Sequence, residues 1–406
     1  MHSYQQALET IVGLPLVAGE ERVVLPRALG RRLAGPVVAP WPLPRFTYSA
    51  MDGYAVRGSD LAAGREFDVV GESAAGHAWA GELPAGAAVR ISTGAPLPAG
   101  ADAVVPQEQA TPAGAGAVRL AATADEARGW VRVAGSEVPA GAPLFGRGTL
   151  VTPAVLAFLA GFNLPMVSVL ARPRVAILTS GDELRPWGSP LGAGEIIASS
   201  LLYLEHELAA CGCEARVLGI AADTAPALEA LLREALAWAD LVVTTAGVSV
   251  GPHDHMGGVL DRLGARVHLW KVAVRPGKPM LVAEVGGRPL LGLPGNPVST
   301  CCNTEIFIKP LLRRAFGLSP VELPRRPVAL AAPCPRDRQR LFFVYARHDG
   351  AGGLVPLPNQ SSGNLFNPAR ANALAVVEPG EGTLPPGTLV PTVDIHVGLG
   401  SPGETA

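Results

Sequence analysis

Apolar positions follow two rhythms along this chain. From about Arg22 to Gly141 they fall in short runs, such as Phe67–Val70, Ala88–Ile91 and Ala103–Val105, broken by Gly, Pro and Asp. Short apolar runs separated by turn residues predict a β region. From Arg174 the runs lengthen and alternate with helical patterns. Strands are predicted at Val175–Leu178, Ala215–Ile220, Leu241–Thr244, Val267–Val274, Met280–Val285 and Leu290–Leu293. Helices are predicted at about Ser200–Cys211, Ala225–Trp238 and Met256–Leu263, with another starting near Pro297. This alternation argues for a largely parallel α/β sheet. Beyond Pro320 short strands return at Phe342–Ala346, Ala373–Val377 and Leu389–Val393, predicting a small β domain. The fold class is therefore α/β plus β, in several domains.

Three further segments complete the pattern. Ser3 to about Val12 predicts a short helix with Ser3 as N-cap. Val151–Ala171 is 21 residues without a charge, long enough to span a bilayer. Pro153, Gly161, Asn163 and Pro165 divide it, so a helix over Ala154–Ala160 and a strand over Met166–Leu170 are expected instead. Ala110–Arg128, rich in Ala, Gly and Thr, is expected to be a surface excursion.

Composition narrows the class. The chain has 406 residues, enough for two to four domains at roughly 150 residues each. Apolar residues make up 48% and charged residues 17%, the reverse of a disordered chain. The net charge of −2 gives no basic footprint for nucleic acid. Five cysteines, an odd number with no CxxC pair, argue against a disulfide framework and a structural zinc site. The N-terminus lacks a basic segment followed by an apolar one, so no signal peptide is expected and the predicted location is cytoplasmic.

Candidate chemistry concentrates in the α/β region, where ligands bind beyond the C-terminal strand ends. Three polar, Gly-rich loops fall there: Thr179–Glu183 with Gly181, Thr245–Gly251 with Ser249 and Gly251, and Leu293–Ser299 with Pro294, Gly295, Asn296, Pro297 and Ser299. The last opens a helix, whose N-terminal N–H groups favour an anion. Arg275-Pro276-Gly277-Lys278-Pro279 adds two cations on a stiffened backbone, a basic turn or an oxyanion clamp. His253-Asp254-His255 is a weak metal signal, with Asp254 its stronger candidate. Ser49–Val56 contains Asp52-Gly53, which alone would also suit a hairpin turn, and Thr93-Gly94-Ala95-Pro96 is equally ambiguous. Cys301 and Cys302 suit packing in an apolar helix.

Taken together, the motifs SAMDGYAV (from Ser49), ISTGAP (from Ile91), TSGDEL, AGVSVG, RPGKP and LGLPGNPVS, in this order, resemble the molybdopterin molybdenumtransferase family, which includes the gephyrin E domain. Gln360–Gly363 and Ala371–Leu374 resemble that family's C-terminal β domain, so the resemblance covers about residues 3 to 398. It implies a homodimer of multidomain chains: a helical connecting domain (1–21 and 141–172), an inserted β domain (22–140), a molybdopterin-binding α/β domain (173–318) and a C-terminal β-barrel-like domain (319–406). It also implies a reaction in which adenylylated molybdopterin and molybdate give molybdenum cofactor and AMP, with Mg²⁺. Asp52, Thr93, Glu183, Asp254 and Lys278 are implied as catalytic. Asp52, Glu137, Glu183 and Asp254 are implied as metal ligands, and Arg275, Pro294 and Pro297 as part of the pocket.

The chain departs from the family pattern in places. Glu137 stands where an Asp is usual, Ala246 replaces the first Gly of its loop, Ala198 and Ser200 replace an expected Asp and Asn, and Arg275 replaces a frequent Lys. Carboxylates beside oxyanions would repel them, and a bridging Mg²⁺ removes that conflict. Two alternatives stay open: a non-catalytic dimeric scaffold, and the molybdopterin adenylyltransferase step.

Overall fold

The computed structural model describes residues 1–62, 65–247, 255–396 and 399. The chain forms two units, one of residues 1–35, 147–156 and 165–406, the other of residues 36–146 and 157–164.

The first unit opens with the helix Tyr4–Val12. Ser3 Oγ accepts the Gln6 N–H at 3.2 Å and the Gln6 side chain accepts the Ser3 N–H at 2.9 Å. This reciprocal cap satisfies two end donors. Tyr4, Ala7, Leu8 and Ile11 recur at helical spacing and are buried. Glu20–Val24 then pairs antiparallel with Met166–Leu170. The charge-free stretch folds as the helix Pro153–Gly161 and that strand. Among the described residues no helix is long and apolar enough to cross a membrane.

The central sheet runs in the order Glu214–Ala221, Arg174–Ser180, Leu241–Thr245, Arg288–Leu293, Leu281–Val285, Arg266–Trp270. The first four strands are parallel; Leu281–Val285 runs antiparallel to both its neighbours, so Arg266–Trp270 points the same way as the first four. Period-two alternation covers both faces of the sheet. Val175 and Ile177 pack in one core with Leu201, Leu204 and Leu208 of the helix Ser199–Ala210. Ala176 and Leu178 pack in another with Leu228 and Leu232 of Ala225–Trp238. One expected strand divides. Val267–Val274 ends at Trp270, because Lys271 turns the backbone to φ 81°. Val274–Arg275 instead pairs in parallel with Leu341–Phe342, in the next domain.

That next domain is a closed barrel of Arg326–Leu330, Leu341–His348, Gly353–Pro356, Ala373–Val377 and Leu389–Asp394. Leu389–Asp394 pairs with Ala373–Val377, which pairs in turn with Leu341–His348 and closes the ring, leaving no free edge. Phe342 and Val344 fill the barrel, while Phe343 and Tyr345 point into the core shared with the α/β sheet.

In the second unit a six-stranded sheet runs Ala103–Pro106, Gly53–Val56, Ala87–Ile91, Glu66–Ser73, Ala117–Leu120, Ala110–Pro112. The segment expected as a surface excursion thus supplies two strands and the helix Ala124–Arg128, and it buries Val118, Leu120 and Ala127. Its small residues hid the few apolar positions that anchor it.

Candidate active site

At the C-terminal ends of the parallel strands, two threonines tie neighbours together. Thr179 Oγ1 donates to the Thr245 carbonyl at 2.7 Å, and Thr245 Oγ1 donates to Thr179 Oγ1 at 2.9 Å. Beyond them Gly181 takes φ 149°, where L side chains are strained. The exposed Glu183 folds its carboxylate back over Gly181, so that a Cβ there would lie 2.6 Å from Glu183 Oε2. Asp182 Oδ1 accepts the Asp223 N–H at 3.1 Å, and the His255 ring lies 3.2 Å from the Asp223 carbonyl. Sequence reasoning missed Asp223. Ala222-Asp223-Thr224 reads as an ordinary helix entry, and Thr224 does cap the helix that follows.

A cleft of about 570 Å³ opens beside this loop, lined by Gly181, Asp182, Trp187, Ala198, Leu201 and Ile220 among others. Trp187 stands at its mouth, 71% exposed. Ala198 lies on the wall, so the departure from Asp makes that wall apolar.

The loop after Leu293 gives a helix starting at Pro297 and capped by Asn296. Asn296 Oδ1 accepts the Val298 N–H at 3.2 Å, and the Asn296 carbonyl accepts those of Ser299 and Thr300 at 3.0 Å. Pro297 has no N–H. The first-turn donors are therefore engaged, leaving the helix dipole to attract an anion. Pro294 and Ser299 are buried and Gly295 is exposed. A Cβ on Gly295 would lie 3.2 Å from Ala246 Cβ. Ala246 has φ 67°, a conformation glycine favours. Ser249, Gly251 and Asp254, with His253, lie outside the described residues.

Between Arg275 and Lys278 the chain turns at Gly277, φ 105°, where a Cβ would strike Asn303 Oδ1 at 2.2 Å. Asn303 Nδ2 donates to the Gly277 carbonyl at 3.3 Å. Lys278 is exposed, whereas Arg275 is half-buried against the barrel.

In the second unit, Asp52-Gly53 is not a hairpin turn. Gly53 begins a central strand, paired on both sides, and a Cβ there would sit 2.0 Å from the Val105 carbonyl oxygen. Only glycine fits. Asp52 is thereby held at a strand end, where its Oδ1 accepts the Thr93 N–H at 2.6 Å and the Thr93 hydroxyl at 3.0 Å. These two bonds, the backbone one first, hold the Asp52 carboxyl below its ordinary range. Glu137 lines a cleft of about 300 Å³ with Gly94, Arg45, Phe46 and Tyr48. The structure thus brings Asp52 and Thr93 together, and sets Glu137 by the glycine that follows Thr93.

Among the described residues no group of three or more acidic, His or Cys side chains is gathered as a metal cage. The exposed carboxylates of Glu183 and Asp52 are hard oxygen donors. Each by itself is the kind of donor that an ion such as Mg²⁺ takes beside water and phosphate.

Comparisons with known proteins match nearly the whole length of the chain. Residues 2–162 match the MoeA N-terminal region (domain I and II), 176–314 a probable molybdopterin binding domain, and 327–395 the MoeA C-terminal region (domain IV). A molybdopterin molybdenumtransferase of Nostoc sp. is 36% identical over 377 residues, covering 89% of this chain and 85% of the relative. Molybdopterin molybdenumtransferase 2 of Mycobacterium tuberculosis is 36% identical over 401 residues, covering 94% and 98%. The solved structure of a molybdopterin biosynthesis MoeA protein from Pyrococcus horikoshii superposes with a TM-score of 0.87 at 28% identity, covering 97% and 98%.

Proposed function

This chain belongs to the molybdopterin molybdenumtransferase family, and from that premise we propose that it inserts molybdenum from molybdate into adenylylated molybdopterin, releasing AMP. The observation that carries the reading is the coincidence, at one end of the parallel strands, of the Gly181–Glu183 loop, its partner Asp223 and a ring-sized cleft. The substrate offers two planar ring systems and a phosphoanhydride. A largely apolar cleft takes a ring, and the loops beside it take the charge.

Each residue then has a task. Trp187, Leu201 and Ile220 give a ring apolar contact. Lys278, exposed and on a turn fixed by Gly277, contacts phosphate or molybdate. Gly181 and Gly295 let the backbone approach the phosphates, Ser249 and Gly251 join them as substrate-binding residues on the strength of the AGVSVG motif, and Pro294, Asn296, Pro297 and Ser299 shape the helix entry. Glu183 and Asp254 would hold Mg²⁺, with Asp52, and Glu137 beside it, contributed by a second copy of the chain. When bound, that ion screens carboxylate from oxyanion and polarises the anhydride. Asp52, kept ionised by Thr93, needs no deprotonation to serve as a ligand. We place the reaction in the cytoplasm, in a homodimer.

The test is molybdate-dependent release of AMP from adenylylated molybdopterin by purified protein. Release without added ATP supports the insertion step, and ATP consumption with free molybdopterin would identify an adenylyltransferase instead. Excess chelator should abolish turnover and added Mg²⁺ restore it. Full activity in chelator rejects the metal assignment.

A further inference from the structure

Arg275 is held by the barrel on two sides. Its guanidinium carbon lies 4.4 Å from the centre of the Phe342 ring, within reach of cation–π attraction. Its Nη1 donates to Asp337 Oδ2 at 3.4 Å. Its backbone is fixed as well, by the parallel pairing with Leu341–Phe342.

Asp337 is itself firmly anchored. It is 8% exposed. Its Oδ1 accepts the N–H of Gln339 at 3.1 Å and of Arg340 at 2.9 Å. The Arg340 guanidinium spans both oxygens, at 3.3 and 2.8 Å. Burial works against the charge on this carboxyl, but the Arg340 and backbone donors outweigh it and bring the pKa down to about 2. One carboxylate is therefore shared by two guanidiniums, and the trio keeps a net positive charge.

Arg275 faces a cleft of about 400 Å³, walled by Pro333, Pro335, Pro356 and Pro358. Gln360 also lines it, but its amide is engaged with the backbone of Tyr345 and Leu357. Among the described residues lining the cleft, Arg275 carries the only charge.

We propose that Asp337 is a positioning residue for oxyanion capture: it fixes the Arg275 guanidinium at the cleft without neutralising it. The inference rests on the reading of Arg275 as an oxyanion clamp. A long side chain free in solvent would have to be ordered on each binding event, and a tethered one is ordered in advance. The forked guanidinium can hold Asp337 with one edge and a tetrahedral oxyanion with another, which an ammonium does poorly. The oxyanion is molybdate or the substrate's phosphate.

The experiment is steady-state AMP release by the full-length chain and its variants Arg275→Ala, Asp337→Asn, Asp337→Glu and Arg275→Ala/Asp337→Asn, with each substrate varied in turn. Asn keeps the shape and the acceptor for the two backbone N–H groups and removes the charge. Asp337→Asn should raise one KM roughly three- to tenfold, with kcat within about twofold, and should add nothing in the Arg275→Ala background. Asp337→Glu, which returns the charge, should recover part of that loss, whereas a merely structural role would lower the melting temperature and leave KM alone. A rise in the molybdate KM assigns the cleft to the inorganic ion, and a rise in the pterin KM assigns it to phosphate. Unchanged KM values in Asp337→Asn beside an impaired Arg275→Ala, or fully additive effects in the double variant, overturn the positioning role and leave the clamp intact. Unchanged KM values in Arg275→Ala overturn the clamp itself.

Discussion

At Ala246 a methyl group occupies a backbone conformation that favours none. Its φ of 67° costs an L-residue about 1–2 kcal/mol, and its Cβ faces Gly295 across the gap between two loops proposed to bind substrate. Replacement by Gly removes the strain but adds freedom to the unfolded chain, worth about 0.4–1 kcal/mol the other way. Ala246→Gly should therefore leave stability unchanged or raise it by up to about 1.6 kcal/mol, by urea titration, while widening the gap and lowering the KM for the pterin substrate. A higher KM would mean that the methyl contacts substrate instead. Lys278→Ala should weaken binding of adenylylated molybdopterin by about 1.5–3 kcal/mol, measured by calorimetry, if a charged hydrogen bond is lost. Unaltered affinity removes Lys278 from the clamp. These two positions were legible in the sequence because glycine loops and fixed cations announce themselves locally. Gly53 was not. The reason for it is the carbonyl of Val105, on a strand far along the chain, and Asp52-Gly53 alone is as good a turn as a strand start.

Elements were legible wherever their cause is local. The helix Ala225–Trp238 and the strand Ala373–Val377 stand where periodicity puts them, and Ser3 caps the first helix as its position predicts. The strand near Val267 failed as a single element because Lys271 adopts positive φ, a property no apolar run reveals. The helix that begins at Pro297 holds a second such surprise. It widens to a π-helical turn at Thr304–Ile308 before resuming at Lys309–Ala315. There Lys309, fully buried, lies 2.6 Å from a Glu207 oxygen and 2.8 Å from Glu305. Burial pushes the Glu305 carboxyl up, against the pull of Lys309. Lys309→Met leaves two carboxylates facing each other, one of them buried, and should cost about 3–5 kcal/mol at neutral pH. The pH dependence has a definite sign. With Glu305's folded pKa above its unfolded value, the folded state binds the extra proton, and stability falls as pH rises between the two. Losing Lys309 raises that folded pKa further, so the penalty should be smaller at pH 5 than at pH 8 in urea titrations. A penalty independent of pH would show that the carboxylates relax into water.

At the scale of the whole molecule, motif order was legible from one end of the chain to the other, whereas assembly was not. No hydrophobic pattern foretells that Glu20–Val24 pairs with Met166–Leu170, or that Val274–Arg275 leaves its own sheet for the barrel. Nor does pattern say how many chains build one site. The candidate residues fall in two units, Asp52, Thr93 and Glu137 in one, Gly181, Glu183, Arg275 and Lys278 in the other. A two-fold dimer can bring the first set of one chain to the second set of its partner, and does so twice by symmetry. The proposed shared site has a consequence that neither set alone would have. Asp52→Ala and Glu183→Ala homodimers should each be inactive. After mixing and random exchange, half the dimers contain one chain of each kind. In such a dimer one site receives both intact residues and the other receives both lesions, so roughly a quarter of all sites should turn over. If instead each chain built its own site, every site would keep one lesion and mixing would restore nothing. AMP release after exchange, with native mass spectrometry to show that mixed dimers have formed, separates the two. Recovered activity near that quarter supports the shared site, and continued silence with mixed dimers present rules it out.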